Sequence, residues 1–186
     1  TATTSGNVLR VTSAAISERG TVFHEDPQAV SGGFETQFDF QFTSPSAGGG
    51  DGLTFIIQND IRGTMAFGNH ASQMGYGAFN TAPPGTAISN CLVIELDTYA
   101  GGGDLSGNEI SIQTNGPGET TADAMFSIGR VSPPIPFSSD AQVHTLRIEY
   151  VPGMLDVYLD DLTTPVLSAP YDLSLIHISE PTRPLH

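Results

Sequence analysis

Four carboxylates surround one short glycine-rich loop in the stretch LVIELDTYAGGGDLSGNEISI, residues 92–112. These acids are Glu95, Asp97, Asp104 and Glu109. Carboxylates that lie close together repel each other unless a positive group sits between them. Hard cations such as Ca²⁺ bind carboxylates together with backbone carbonyls and water, and glycines let a loop turn its backbone toward an ion. The pattern predicts a metal site; the alternative is that the acids face solvent on an edge strand.

Strand alternation decides which of these groups can meet, because successive side chains point to opposite faces. It places Glu95, Asp97 and Tyr99 on one face of the strand. The opposite face carries the apolar residues Leu92, Ile94 and Leu96. The strand is therefore predicted to cover a core with one face and to present its acids on the other.

The rest of the chain also has a period of two. In GGFETQFDFQFTS the phenylalanines fall on one face and polar residues on the other, which predicts a half-solvated antiparallel strand. GLTFIIQN is apolar on both faces and predicts a central strand. HTLRIEYVPGMLDVYLDD predicts two strands joined at Pro152-Gly153. Many short strands without a helical pattern predict an all-β sandwich or barrel.

Composition limits the partners. The chain has 186 residues, enough for one sizeable domain, and a formal net charge of -14 with six basic residues, all arginine. Because no basic patch can neutralise phosphates, nucleic acid and anionic membrane surfaces are not expected as partners. The sequence contains no run of about 18 apolar residues, so direct membrane insertion is not expected. The excess of carboxylates suits hard cations, or it serves solubility alone.

The C-terminal residues 173–186, LSLIHISEPTRPLH, differ from the acidic, glycine-rich sequence before them. From Leu173 to Arg183 they resemble the translation of a transposase-type sequencing adapter. This resemblance predicts a natural domain over residues 1–172 and an adapter-derived segment over 173–186. It also predicts that the natural chain continues past Asp172 with another apolar strand and a binding loop.

Four stretches carry a resemblance to a known family. GGFETQFDFQFTSPSAGGGDGLTFIIQND, MGYGAFN, LVIELDTY…NEISI and HTLRIEYVPGMLDVYLDD resemble, in this order, the L-type (legume-type) lectin domain, particularly its bacterial members. The resemblance covers residues 7–173. It implies an all-β fold, a concanavalin-like antiparallel β-sandwich (jelly roll), that binds calcium and a transition metal beside a shallow sugar site. It also implies an extracellular or cell-surface location within a larger chain.

The resemblance implies a metal role for each acid of the loop. Glu95 matches a transition-metal ligand, and Asp97 and Asp104 match the two aspartates that bridge both ions. Tyr99 matches the aromatic residue whose carbonyl binds calcium. Glu109 stands where the family has a histidine ligand, which biases the site toward Ca²⁺ or Mn²⁺. The expected cofactor is Ca²⁺, with Mn²⁺ or another divalent transition metal as a further option.

One family ligand is missing. The asparagine that binds both calcium and sugar in the family falls within residues 100–102, where this chain has Ala-Gly-Gly. Its loss removes a calcium ligand and a donor to the sugar. Asn108 could substitute from nearby.

The resemblance also implies sugar contacts. Asp51 in GGDGL matches the loop aspartate that accepts hydrogen bonds from sugar hydroxyls, after a cis peptide with Gly50; without the resemblance, Asp51 would be interpreted as part of a turn. A backbone amide is expected from Gly75 or Gly77 in MGYGAFN, with the register uncertain by one or two residues. Tyr76 and His70 could stack on or bond a sugar, or could be structural.

These features predict a lectin: calcium-dependent binding of a glycan or polysaccharide, without catalysis. Two alternatives stay open. The first is an adhesion module of a larger surface protein that does not bind sugar, which the missing asparagine favours. The second is a β-glucanase-like glycoside hydrolase, whose pattern E-x-D-x-x-E requires an acid where Ala100 stands.

Overall fold

The computed structural model describes residues 2–13, 15–30, 32–43, 50–101 and 103–176. Within these ranges the chain forms ten β-strands and four short 3-10 helices, and no longer helix. No described helix is long and apolar enough to cross a membrane. The prediction of an all-β fold is therefore confirmed.

All strand pairs are antiparallel. The strands are β1 (Thr3–Ser5), β2 (Val8–Arg10), β3 (Phe34–Phe40), β4 (Gly52–Gln58), β5 (Cys91–Asp97), β6 (Glu109–Thr114), β7 (Ser127–Val131), β8 (His144–Val151), β9 (Gly153–Leu159) and β10 (Leu167–Tyr171). The 3-10 helices are Gly63–Met65, Ala71–Gln73, Ala124–Phe126 and Leu173–Leu175. Besides the β1-β2 pair, the strands form two sheets of the orders β10-β9-β8-β3 and β4-β5-β6-β7.

The sheet β10-β9-β8-β3 follows the predicted alternation. In β3, Phe34, Phe38 and Phe40 pack on the core, while the side chains of the opposite face are exposed: Glu35, Gln37 and Asp39. β8 and β9 form the predicted hairpin around Pro152, and Gly153 has a φ of 97°, a conformation that residues with a Cβ rarely adopt. This sheet supplies the base on which the second sheet packs.

The main core lies between the two sheets. Ile94 and Ile112 of one sheet and Ile148 and Val157 of the other have no solvent exposure. Burying an aliphatic side chain of this size contributes about 1.5–3 kcal/mol relative to exposing it. The apolar face of β5 is therefore fixed against the core, as predicted, and its acidic face must point away from it.

β4 differs from its predicted position. The sequence predicts a central strand for GLTFIIQN, but β4 is an outer strand of its sheet among the described residues. Both of its faces are covered: Phe55 and Ile57 pack on the main core, and Ile56 packs on a second cluster that includes Tyr76 and Val93. Apolar residues on both faces of a strand show that both faces are covered. They do not show whether the strand has a hydrogen-bonded neighbour on each side, so the predicted central position is wrong.

The main core also includes residues beyond the predicted domain end at Asp172. Leu173 and Ile176 are buried in it, at 0% and 1% exposure. The predicted adapter-derived segment thus begins inside the packed part of the chain, and its residues 177–186 lie outside the described residues. The boundary at residue 172 stays a prediction.

Candidate functional site

An acidic cleft of about 200 Å³ opens where β5 ends. Its carboxylates are Asp51, Asp97, Asp104 and Asp123. Tyr99 and the turn of residues 72–74 complete its walls. The cleft therefore brings together four of the residues singled out from the sequence, Asp51, Asp97, Tyr99 and Asp104, which come from two separate stretches of the chain.

Asp51 is positioned by its neighbours in the loop before β4. The peptide between Gly50 and Asp51 is cis, as the family resemblance implies. The Asp51 carbonyl accepts a hydrogen bond of 2.9 Å from the Thr98 amide, which ties the loop to the end of β5. A Cβ on Gly50 would lie 2.7 Å from Cβ of Tyr99, so only glycine permits this close approach. Burial raises the pKa of Asp51, partly offset by the charge of His70.

Asp97 and Asp104 face the cleft from β5 and from the glycine-rich loop. Asp97 Oδ1 accepts a hydrogen bond of 2.7 Å from the Tyr99 amide, and Asp104 Oδ2 accepts one of 2.6 Å from the Gly101 amide. Burial raises the pKa of Asp97 to about 7, opposed by the Tyr99 amide and reinforced by the charges of Asp104, Glu95 and Glu109. Negative charge is thus concentrated here beyond what the amides neutralise.

Glu95 lies beneath the cleft and does not line it. It is 3% exposed, and its Oε1 accepts a hydrogen bond of 2.7 Å from the Tyr76 hydroxyl. Its Oε2 accepts from the Ser111 hydroxyl and, over 3.0 Å, from Nε2 of Gln113. Burial raises the pKa of Glu95 even though all three donors lower it. The alternative that the acids face solvent on an edge strand is wrong for Glu95, since β5 lies between β4 and β6.

Glu109 is also withdrawn from the cleft, by an arginine that the sequence did not single out. Arg130 Nε lies 2.6 Å from Glu109 Oε1, and Arg130 Nη2 lies 3.0 Å from Oε2. The Leu105 amide donates to the same carboxylate. The structure therefore places Glu109 in an ion pair: it lies opposite Asp97 in the strand register but does not line the cleft, and its metal role stays a prediction.

The stretch MGYGAFN does not offer the amides that were predicted to bind sugar. The Gly75 amide donates to the Asn69 carbonyl over 2.8 Å, and the Gly77 amide donates to the Gln73 carbonyl over 2.9 Å. Both donors are therefore used within the loop in this arrangement, and a sugar contact from Gly75 or Gly77 stays a prediction. Residues 72–74, which end with the first residue of this stretch, line the cleft instead.

Two side chains with an open role are structural. Tyr76 is 1% exposed and bonds Glu95, so its ring cannot stack on a sugar. Asn108, considered as a replacement for the missing asparagine, donates to the carbonyls of Pro133 and Ile135 and accepts from the Ser138 amide. Its amide group is fully used in holding that loop. Tyr99, by contrast, has a ring that is 47% exposed at the cleft wall.

Sequence reasoning missed Asp123 and Gln73, both of which line the cleft. Gln73 is 8% exposed, and its Oε1 has no hydrogen-bond partner in the described part of the chain. Asp123 accepts from the Thr121 hydroxyl over 3.0 Å. Neither lies near the acidic stretch in sequence, so no spacing pattern could have connected them to it.

The donors of the cleft suit a hard cation. Its carboxylates are oxygen ligands of the type that Ca²⁺ binds, and no cysteine or histidine lines it. Within the described residues, no three His, Cys, Asp or Glu side chains converge closely enough to form a metal cluster. Asp97 and Asp104 would therefore hold a calcium ion only together with further ligands such as carbonyls or water.

Comparison with known proteins gives a consistent result. Residues 1–181 match the family model of the legume lectin domain. The chain is 27% identical over 188 residues to an L-type lectin-domain containing receptor kinase (I.10) of Arabidopsis thaliana, covering 96% of this chain and 27% of the relative. The chain thus spans about a quarter of the length of that relative.

Two solved structures share the fold. The exoplasmic/lumenal domain of VIP36, in a Ca²⁺/Man-bound form, has a TM-score of 0.62 at 16% identity, over 92% of this chain and 74% of that one. The winged bean acidic lectin complexed with methyl-α-D-galactose has a TM-score of 0.55 at 25% identity, over 76% of this chain and 55% of that one. These similarities confirm the predicted antiparallel β-sandwich.

Proposed function

Since this chain belongs to the legume lectin domain family, we propose that it binds carbohydrate reversibly at the acidic cleft and that a calcium ion held there is required. The observation that carries the proposal is the convergence of Asp51, Asp97, Tyr99 and Asp104 on one cleft. Two stretches separated by some forty residues meet there, which a merely solvated acidic surface would not require.

Calcium binds at Asp97 and Asp104, with the Tyr99 carbonyl as a further ligand. When bound, the ion supplies positive charge and fixes the glycine-rich loop. The crowding of carboxylates around Asp97 supports this assignment, because a divalent cation relieves the repulsion that burial makes costly. Chain segments then do the rest: the Gly101 amide orients Asp104, and the Tyr99 amide orients Asp97.

The sugar is held by Asp51 and by the exposed ring of Tyr99. A carboxylate that accepts hydrogen bonds from hydroxyls forms stronger bonds than a neutral acceptor. Burial raises the pKa of Asp51 because it removes water from the charged carboxylate. Sugar hydroxyls that donate to this carboxylate would replace the lost water. The VIP36 domain is in a Man-bound form and the winged bean lectin is complexed with methyl-α-D-galactose, which supports a hexose as the class of sugar.

The setting is extracellular or luminal, within a larger chain. VIP36 is described as an exoplasmic/lumenal domain, and the plant relative as a receptor kinase that is almost four times as long as the matching region. The chain's net charge of -14 supports a glycan partner rather than a nucleic acid, as inferred from composition.

An adhesion module without sugar binding is the second candidate. The observations that favour it are the missing asparagine at residues 100–102 and the use of both the Gly75 and Gly77 amides within their own loop. The glucanase alternative has no such support, because Glu95 lies under Tyr76 and not in the cleft. A glycoside hydrolase needs two carboxyls that reach the substrate.

A glycan array with and without calcium tests the proposal. We expect binding of at least one hexose-containing glycan in Ca²⁺ and its loss in chelator. For that glycan, Asp51→Asn should weaken affinity roughly 10- to 100-fold, since a hydrogen bond to a charged group contributes about 1.5–3 kcal/mol. Asp26→Asn, an exposed acid outside the cleft, is the matched control. Absence of binding to any glycan would favour the adhesion module.

A further inference from the structure

Arg130, one of six arginines in the chain, contacts both Glu109 and the glycine-rich loop. Its Nε and Nη2 hold both oxygens of Glu109, at 2.6 and 3.0 Å. Such a two-point pairing of guanidinium and carboxylate is directional as well as strong. The Glu109 side chain is 3% exposed and that of Arg130 is 20% exposed, so the pair is largely shielded from water.

The same guanidinium reaches the glycine-rich loop. Arg130 Nη2 donates to the Gly103 carbonyl over 2.7 Å and lies 3.9 Å from Asp104 Oδ1. One fixed positive charge therefore touches two of the four acids that the sequence groups together, and it ties the loop to β7. The hydrogen bond of Glu109 raises the pKa of Arg130 against the effect of burial, and the charges of Glu109, Asp104 and, last, Glu95 add to it.

Strand register explains why Arg130 meets these acids. Glu95 pairs with Ser111 across β5 and β6, and Ser111 pairs with Arg130 across β6 and β7. The three side chains therefore form one row across the sheet, on the face that carries Glu109 one step further along β6. The side chain of residue 130 therefore lies on the same face as Glu95 and Glu109, which we call the acidic row. An arginine at this position places a positive charge next to them.

Donors of the protein already occupy the carboxylates of Glu95 and Glu109 in the acidic row. Glu109 accepts from Arg130 at both oxygens and from the Leu105 amide. Glu95 accepts from Tyr76, Ser111 and Gln113, all of them buried. A transition metal placed between these two acids would have to displace a charged donor and several neutral ones. The residues present do not fit the transition metal that the family resemblance implies.

We propose that the guanidinium of Arg130 is the built-in counterion of Glu109 and Glu95, so that the chain takes one divalent cation, in the cleft, and excludes a second one from this row. The inference rests on the proposed function only for the position of that first cation. Arg130 acts as a positioning residue: its side chain does not line the cleft, but it bonds the Gly103 carbonyl and lies 3.9 Å from Asp104.

The test compares wild type, Arg130→Met and Arg130→Lys, with metal alone as the probe. Bound Ca²⁺ and Mn²⁺ per chain are counted by elemental analysis after equilibrium dialysis, first in Ca²⁺ and then in Ca²⁺ plus Mn²⁺. We expect one Ca²⁺ and no additional Mn²⁺ in wild type and in Arg130→Lys, which keeps the charge. In Arg130→Met the uncovered carboxylates should take up one Mn²⁺ in addition.

Thermal unfolding gives a second readout. In Arg130→Met, Mn²⁺ at ~100-fold above its dissociation constant should raise Tm by roughly 5–10 °C over Ca²⁺ alone, since an ion bound only by the folded state stabilises it. Wild type should show no such additional shift. Arg147→Met, which removes an arginine from the other sheet, is the matched control and should behave like wild type.

Each outcome decides the inference. Two divalent ions per wild-type chain would overturn it, and that result does not depend on whether any variant folds. A folded Arg130→Met that gains no Mn²⁺ would also overturn it. Wild type that binds no Ca²⁺ but an Arg130→Met that gains Mn²⁺ would support the role of Arg130 while removing the calcium part of the proposed function.

Discussion

The Tyr76 hydroxyl donates a hydrogen bond of 2.7 Å to Oε1 of Glu95, and both side chains are almost fully buried. The bond joins Tyr76, in the loop that covers the sheet β4-β5-β6-β7, to β5 within that sheet. A carboxyl that is removed from water in this way needs each of its donors, because an unmade hydrogen bond inside the protein costs more than a made one contributes.

Tyr76→Phe removes that donor and little else. We expect the free energy of unfolding to fall by about 1–3 kcal/mol, the cost of leaving a buried acceptor without its partner. Urea denaturation followed by circular dichroism measures the change. Tyr99→Phe is the control: its ring is 47% exposed, so its hydroxyl can bond water and the substitution should change stability by less than about 0.5 kcal/mol. Equal effects of the two substitutions would contradict the role of Tyr76.

His144 predicts a dependence of stability on pH. Its Nδ1 lies 2.9 Å from Asp160 and its Nε2 lies 3.0 Å from Asp140, so both ring nitrogens face carboxylates, as only the imidazolium can satisfy. Burial alone lowers the pKa of His144, but the hydrogen bonds and charges of Asp160 and Asp140 outweigh it and raise the pKa overall. The stabilisation is therefore complete below the unfolded pKa of about 6.5 and is lost as pH rises through the higher folded pKa.

We expect Tm to fall as pH rises from about 6 toward 8, and to fall less in His144→Gln than in wild type. Differential scanning calorimetry at several pH values measures both slopes. His24→Gln, which replaces an exposed histidine, should keep the wild-type slope. The same slope in wild type and His144→Gln would show that the pair of aspartates does not hold the imidazolium.

Leu173 and Leu175 test where the folded domain ends. They lie in the same 3-10 helix, but Leu173 is 0% exposed and Leu175 is 57% exposed. Leu173→Ala should lower the free energy of unfolding by about 2–5 kcal/mol, whereas Leu175→Ala should change it by less than about 0.5 kcal/mol. Small and equal effects in chemical denaturation would instead favour a domain that ends at Asp172.

The sequence predicts the faces of strands well, because alternation is a local property. It places Phe38 on the core face of β3, and it places Glu95 and Ile94 on opposite faces of β5. The structure confirms both. It fails for β4, where apolar residues on both faces do not reveal which strand is the outer one. The edge position depends on partners that are distant in the sequence, and no local pattern contains them.

In the candidate site, too, local features are predicted from the sequence and long-range partners are not. Asp97 and Asp104 are found from one short motif, but the motif does not show that Glu109 has a different partner. Arg130 lies 21 residues after Glu109, across a register shift between Ile112 and Gln113. Which residue of β7 meets the acidic row depends on that irregularity in pairing. Asn108 fails for a similar reason: its partners lie 25 to 30 residues further along the chain.

The most direct test of the central claim is the affinity of the chain for an array-selected glycan as a function of calcium, measured by calorimetry for wild type, Asp97→Asn and the control Asp26→Asn. If calcium at Asp97 organises the sugar site, wild type and Asp26→Asn should bind in Ca²⁺ and lose at least ~10-fold in affinity in chelator, about 1.4 kcal/mol. Asp97→Asn should bind weakly in both conditions. Equal affinity of wild type with and without calcium, or of Asp97→Asn and wild type in calcium, would contradict it.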